Sequence, residues 1–205
     1  MNGEAVTRER QRSSTGPLVA AAVFDLDGTL VDSMAAQYEA YRRAFADHGA
    51  TLDRARFDAA VGATAAEVLP GLLAATGCAA PLADVRARKA HHLGDVLAEG
   101  AAVALPAADV ARGLAALLPV ALCTSASAPT VALVLRHAGL EGLFAVQVTG
   151  DDVAQGKPHP EPYLLVAARL DVDPAACLVF EDSAAGLASA RAAGMAVVDV
   201  RPRPG

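Results

Sequence analysis

Residues 18–24 (LVAAAVF) form a short apolar run without a charge. Such a run suits a strand buried on both faces of a parallel sheet, although periodicity alone does not separate it from a buried helix segment. Residues 34–48 then show helical spacing, with Tyr38, Tyr41 and Phe45 on one stripe and Gly49 as a stop. Ala- and Leu-rich helical patterns fill 53–100, with breaks expected at Gly62, Pro70–Gly71, Gly77 and Pro81 and no strand. From 102 onward the period alternates. Helices are predicted over 107–118, 129–138, 161–170 and 184–193. Strands are predicted at VALCT (ending at Thr124), 144–149, CLVFED (ending at Asp182) and AVVDV.

Strands that alternate with helices predict an α/β fold: a Rossmann-like parallel sheet core with helices on both faces. The all-helical block interrupts that pattern after the first strand. It predicts an inserted α-helical cap domain over 34–100, with the core made of 17–33 and 101–205. Residues 1–16 are polar and mixed in charge, and are expected to be a disordered tail or a start-site artefact.

Composition narrows the function classes. At 205 residues with 54% hydrophobic and 20% charged residues, the chain can bury a substantial core. A net charge of −6 offers no field for nucleic acid. No apolar stretch approaches the ~18 residues that span a bilayer, so no membrane partner is expected. Three cysteines form no CxxC, and Cys123 and Cys177 lie in apolar strand-like runs. Buried thiols in a reducing compartment, the cytoplasm, follow from that pattern, and a monomer is expected.

The chemistry sits at strand ends. Asp25 and Asp27 follow the first run in FDLDGTLVDS, and Gly28 lets the chain turn at the sheet edge where open α/β sheets place ligands. An EF-hand would need Gly in place of Leu30, an acid in place of Ala36 and a helix leading in, so that reading fails. If the strands are parallel, Asp25, Asp27, Thr124, Ser125, Glu181 and Asp182 converge on one edge, and Lys157 of GKPHPEP reaches it. Four acids, two hydroxyls and one ammonium suit a phosphate ester handled with a divalent cation. Each has a plainer reading: Thr124 as a strand-end hydroxyl, Lys157 as a solvated lysine, Glu181 and Asp182 as acids at a helix N-terminus. Lys157 is one of only two lysines, with Lys89, against fifteen arginines. His91 and His92 face different sides of a helix and make no metal pair. His159 reads as a loop residue, and Asp32 and Ser33 are expected to cap the helix that begins near Met34.

Four motifs in order, FDLDGTLVDS, ALCTSAS, GKPHPEPY and VFEDSAAGLASARAAGM, span 24–195. With them the chain resembles the phosphatase side of the haloacid dehalogenase (HAD) superfamily, and is similar to the group of β-phosphoglucomutase and fructose-1-phosphate phosphatase. The resemblance implies a Mg²⁺-dependent phosphatase acting on a small phosphorylated metabolite. It implies Asp25 as the nucleophile that forms an aspartyl-phosphate and Asp27 as acid/base. Thr124, Ser125 and Lys157 would then bind phosphate. Asp25, the backbone carbonyl of Asp27, Asp182 and Glu181 (directly or through water) would hold Mg²⁺. Alternatives are a sugar phosphomutase and a non-catalytic HAD-fold binding protein. Members of the group often carry a His where this chain has Gln37 and an Arg at the position of Ala65, which weakens the mutase reading. Gln37, Tyr41 and Thr64 are candidate substrate contacts.

Overall fold

The computed structural model describes residues 19–60, 65–100 and 102–201. Its core is a five-stranded sheet built from β1 (Ala21–Phe24), β4 (Val120–Cys123), β5 (Val146–Val148), β6 (Cys177–Glu181) and β7 (Ala196–Asp199). The order is β5-β4-β1-β6-β7, and every pairing is parallel. After β1 the chain builds outward on one side through β4 and β5, then returns to the other side for β6 and β7. The reversal leaves the carboxyl ends of β4, β1 and β6 side by side, where such sheets hold ligands. The expected Rossmann-like α/β architecture is present.

All four residues of β1 are buried. Ala22 and Phe24 join an apolar cluster with α5 (Pro106–Ala115) and α6 (Ala128–His137) on one face. Ala21 and Val23 join another with α7 (Glu161–Leu170) and α8 (Ala184–Ala192) on the opposite face. That two-sided burial is why the run carries no polar residue. Phe24 stacks on Phe180 of the neighbouring strand, with ring centroids 4.5 Å apart and planes 6° from parallel, directly beneath the acids of both strands.

Between β1 and β4 lie α1 (Met34–Ala46), α2 (Arg54–Ala60), α3 (Ala65–Thr76) and α4 (Leu82–Ala98), the inserted helical cap. Its interior is its own: Phe45, Leu52, Phe57, Leu72 and Val85 form a separate cluster. Yet Ala36, Ala40, Leu93 and Val96 of α1 and α4 belong to the sheet-side cluster, so the cap is seated on the core. A short antiparallel ribbon of β2 (Val31–Asp32) and β3 (Val103–Ala104) joins the chain's entry into the cap to its exit.

Three expectations are corrected. The ribbon strands were not predicted, because a two-residue strand has no alternation to detect. Pro70–Gly71 does not break the helix. α3 runs through it, losing one backbone hydrogen bond, while Leu69 and Leu72 are buried on either side. Asp32 and Ser33 do not cap α1: Asp32 belongs to β2, and Ser33 stands at the N-cap without a side-chain cap bond because its hydroxyl is used elsewhere. Gly62 and the 1–16 tail lie outside the described residues.

The Phe24–Phe180 stack gives the first prediction. Phe24→Ala should lower unfolding free energy by about 3–5 kcal/mol in urea titrations, the cost of deleting a fully buried aromatic. A loss below about 1 kcal/mol would show that the stack does not anchor the sheet beneath the acids.

Candidate active site

β1 ends at Phe24, and Asp25 follows with its backbone N–H donating to Phe180 O at 3.0 Å, so sheet pairing fixes its position. The loop before α7 brings Lys157 beneath it. The Lys157 Nζ donates to Asp25 Oδ1 at 2.7 Å, Glu181 Oε1 at 2.7 Å and Cys123 O at 3.0 Å. Three acceptors meet three ammonium hydrogens, and they come from the ends of β1, β6 and β4. The aromatic ring of Tyr163, in α7, lies 5.1 Å from the same nitrogen. This lysine is therefore not a solvated surface residue.

Glu181 is fully buried, and both of its oxygens are committed. Besides Lys157 it accepts from Ser183 N at 2.6 Å and from the Ser183 hydroxyl at 3.1 Å; that same hydroxyl accepts from Gly186 N and so caps α8. A Cβ on Gly186 would fall 1.6 Å from Glu181 Oε1, which explains the glycine in the first turn of α8.

Asp182, half-buried, accepts from Thr29 Oγ1 at 3.1 Å. Gly28 makes room for it: a Cβ there would lie 2.1 Å from Asp182 Oδ2, and its φ of +85° lies in the left-handed region. Two separate demands thus fall on one glycine. Asp27 is oriented from the segment leading into the cap. Its Oδ1 accepts from the Ser33 hydroxyl and, at 3.5 Å, from Gln37 Nε2.

Thr124, buried at the end of β4, accepts from Ala126 N at 3.1 Å through its hydroxyl. The hydroxyl hydrogen remains free to donate, and half-buried Ser125 stands beside it. The loop after β5 presses onto this turn: Gly150 N donates to Ala126 O, and a Cβ on Gly150 would meet Ser125 O at 2.4 Å. The four acids, Lys157, Thr124 and Ser125 border a cavity of about 730 Å³ between core and cap. Gln37 and Tyr41 also line it, as does Lys89, whose place at the site the sequence did not reveal. Thr64 lies outside the described residues. His91 and His92 pair separately with Asp95 and Asp47 on the cap, away from the acids.

Asp25, Glu181 and Asp182 offer carboxylate oxygens that lie within 4.8 Å of one another. Two such charges repel by roughly 3.5 kcal/mol at that distance with an effective dielectric constant of ~20. One ammonium does not offset three carboxylates. Burial, together with repulsion from Glu181 and Asp27, raises the Asp25 carboxyl to about 8 against the pull of Lys157. Burial and Glu181 also raise Asp182. An all-oxygen donor set short of positive charge fits a hard divalent cation. The Asp27 carboxylate lies outside this group, held by Ser33 and Gln37.

The sequence model for haloacid dehalogenase-like hydrolases matches residues 19–194. The chain belongs to this family. It is 30% identical over 182 residues to fructose-1-phosphate phosphatase YqaB of Escherichia coli, covering 89% of this chain and 96% of that one. It is 35% identical over 181 residues to a phosphorylated carbohydrates phosphatase of Thermotoga maritima, covering 85% and 82%. The crystal structure of CbbY from Rhodobacter sphaeroides in complex with phosphate superposes with a TM-score of 0.83 at 28% identity, covering 91% of this chain and 88% of that chain. With this membership the expectation of a hydrolytic enzyme stands.

The charge imbalance generates the second prediction. An acid raised in the fold costs stability above its ordinary value of 3.8, and the cost grows until the pH passes about 8. In EDTA, Asp25→Asn should melt a few degrees above the wild type at pH 8, and the gap should close towards pH 4. A variant that melts below the wild type at pH 8 would contradict the excess of negative charge.

Proposed function

We propose that this hydrolase is a Mg²⁺-dependent phosphatase that cleaves a small sugar phosphate or similar monoester through an aspartyl-phosphate on Asp25. The observation that carries the reading is the buried Lys157 ammonium, clamped between Asp25 and Glu181 at the border of a cavity that also presents Thr124 and Ser125. The activities for which the two phosphatase relatives are named support the same substrate class.

In this reading Lys157 holds Asp25 Oδ1 and leaves Oδ2 to attack phosphorus. The ester P–O bond breaks as Asp27 gives its proton to the departing alcohol oxygen. Asp27 then takes a proton from water, whose oxygen attacks phosphorus and releases Asp25 as the carboxylate. Ser33 and Gln37 hold the acid/base in one orientation through both steps. The Thr124 hydroxyl and Ser125 donate to the phosphoryl oxygens.

Asp25, Asp182 and the backbone carbonyl of Asp27 would hold the cation. When bound, it supplies charge neutralisation between the carboxylates and the phosphate dianion. Glu181 acts chiefly by positioning Lys157, because its own oxygens are occupied. Residues 34–100 serve as the cap that excludes water over a core of 17–33 and 101–205. The cysteines are unpaired, which supports a cytoplasmic enzyme, and no helix among the described residues is long and apolar enough to cross a membrane.

A panel of phosphorylated sugars scored for free phosphate tests the reading. Turnover is expected with Mg²⁺ and should vanish in EDTA, and Asp27→Asn should reduce kcat by about 10²–10⁴-fold. Full activity in EDTA would refute the cation requirement. An Asp27→Asn variant within twofold of the wild type would refute the acid/base assignment.

A further inference from the structure

Lys157 reaches the acids from a stretch without helix or strand, residues 149–160 between β5 and α7. Its three bonds point in three set directions, so the ammonium serves the site only if the backbone that carries it is fixed. That backbone is fixed in several places. At the start of the stretch, Asp152 Oδ2 accepts from Thr149 N at 2.8 Å and from the Thr149 hydroxyl at 2.7 Å. Arg169 of α7 donates to Asp152 Oδ1 at 2.7 Å and to Gln147 O at 2.8 Å. Nearer Lys157 the anchor is Glu161. Its Oε1 accepts from Ala154 N at 2.8 Å, and its Oε2 accepts from Gln155 N at 3.0 Å. Beyond Lys157, the buried Ser189 of α8 donates to His159 O at 2.5 Å, and His159 Nδ1 accepts from Glu161 N at 3.2 Å.

An acid in the first turn of a helix has a simpler reading, since the helix dipole favours it there. The bonds of Glu161 go elsewhere. Both oxygens are spent on amides that precede α7, and neither caps the helix itself. Ala154 and Gln155 are exposed, so water could satisfy those two amides. What the carboxylate adds is a fixed distance. One planar group that grips two successive N–H groups pins both the position and the direction of the chain, just before Lys157. Glu161 does not border the cavity, so it acts through another residue and not on a substrate.

We infer that Glu161 is a positioning residue for phosphoryl transfer. By clamping residues 154 and 155 to the first turn of α7, it holds Lys157 Nζ where the ends of β1, β4 and β6 meet. Lys157 in turn holds Asp25 Oδ1 and leaves Oδ2 free. The effect on turnover rests on the phosphatase reading; the effect on Lys157 rests on geometry alone.

The test reads both. The chain has two lysines, Lys89 and Lys157, so isotope-labelled lysine gives two ammonium signals in NMR, and Lys89→Arg identifies them. Glu161→Ala should shift the Lys157 signal and speed its hydrogen exchange while the Lys89 signal stays in place. It should also lower kcat on a sugar phosphate in Mg²⁺ by about tenfold, the cost of a slightly misplaced group. Glu161→Gln keeps one acceptor oxygen and should recover part of both. If Glu161→Ala does not fold, Glu161→Gln carries the same comparison. An unchanged Lys157 signal in the folded variant overturns the inference, whatever its kcat. So does a displaced signal with kcat within twofold of the wild type. If the wild type hydrolyses no phosphate ester, the phosphatase reading fails by itself, and the Lys157 signal still decides whether Glu161 positions the ammonium.

Discussion

The ammonium of Lys157 is the interaction on which the site depends. It accepts no substitute from solvent, because it is buried, and its three hydrogens are spent on the ends of three different strands. Its two carboxylate partners would repel each other without it, and Glu181 could not be buried unpaired. The carboxylates at this edge in turn constrain two glycines. Gly186 exists because Glu181 must lie against the first turn of α8, and Gly28 because Asp182 must lie against the turn after Asp25.

Sheet topology explains why these groups meet at all. They come from sites as far as 132 residues from Lys157, yet β4, β1 and β6 are adjacent and parallel, so their carboxyl ends share one edge. Apolar burial on both faces of β1 fixes the strand, and the Phe24–Phe180 stack ties it to β6 beside the acids. The cap adds what the core lacks. Through Ser33 and Gln37 the entry segment orients Asp27, and through Lys89 it brings positive charge to a cavity otherwise dominated by acids.

Much of this was legible in the sequence. The charge-free run before Asp25 marked a two-sided strand, and the alternation after 102 marked the parallel sheet, while the strand order that reverses beside β1 left no trace in the pattern. The residues at strand ends could be gathered because a parallel sheet has only one carboxyl edge. Other features left no readable trace. Ser33 looks like a helix cap, and nothing local shows that its hydroxyl turns to Asp27. Pro70 reads as a break because propensity favours one, while burial of Leu69 and Leu72 decides otherwise. Lys89 stands in an ordinary amphipathic helix, where nothing local marks it as a residue of the cavity. Cap contacts depend on how helices from distant segments face the sheet, which single-sequence periodicity does not encode.

The central claim is that Asp25 itself becomes phosphorylated. Acid-quenching the enzyme within its first turnovers on a sugar phosphate, followed by peptide mass spectrometry, measures this directly. The account predicts one phosphoryl adduct, on the peptide that contains Asp25, which disappears with hydroxylamine treatment and is absent from Asp25→Asn. A phosphoryl group on any other residue, or rapid turnover with no adduct at any quench time, would contradict it.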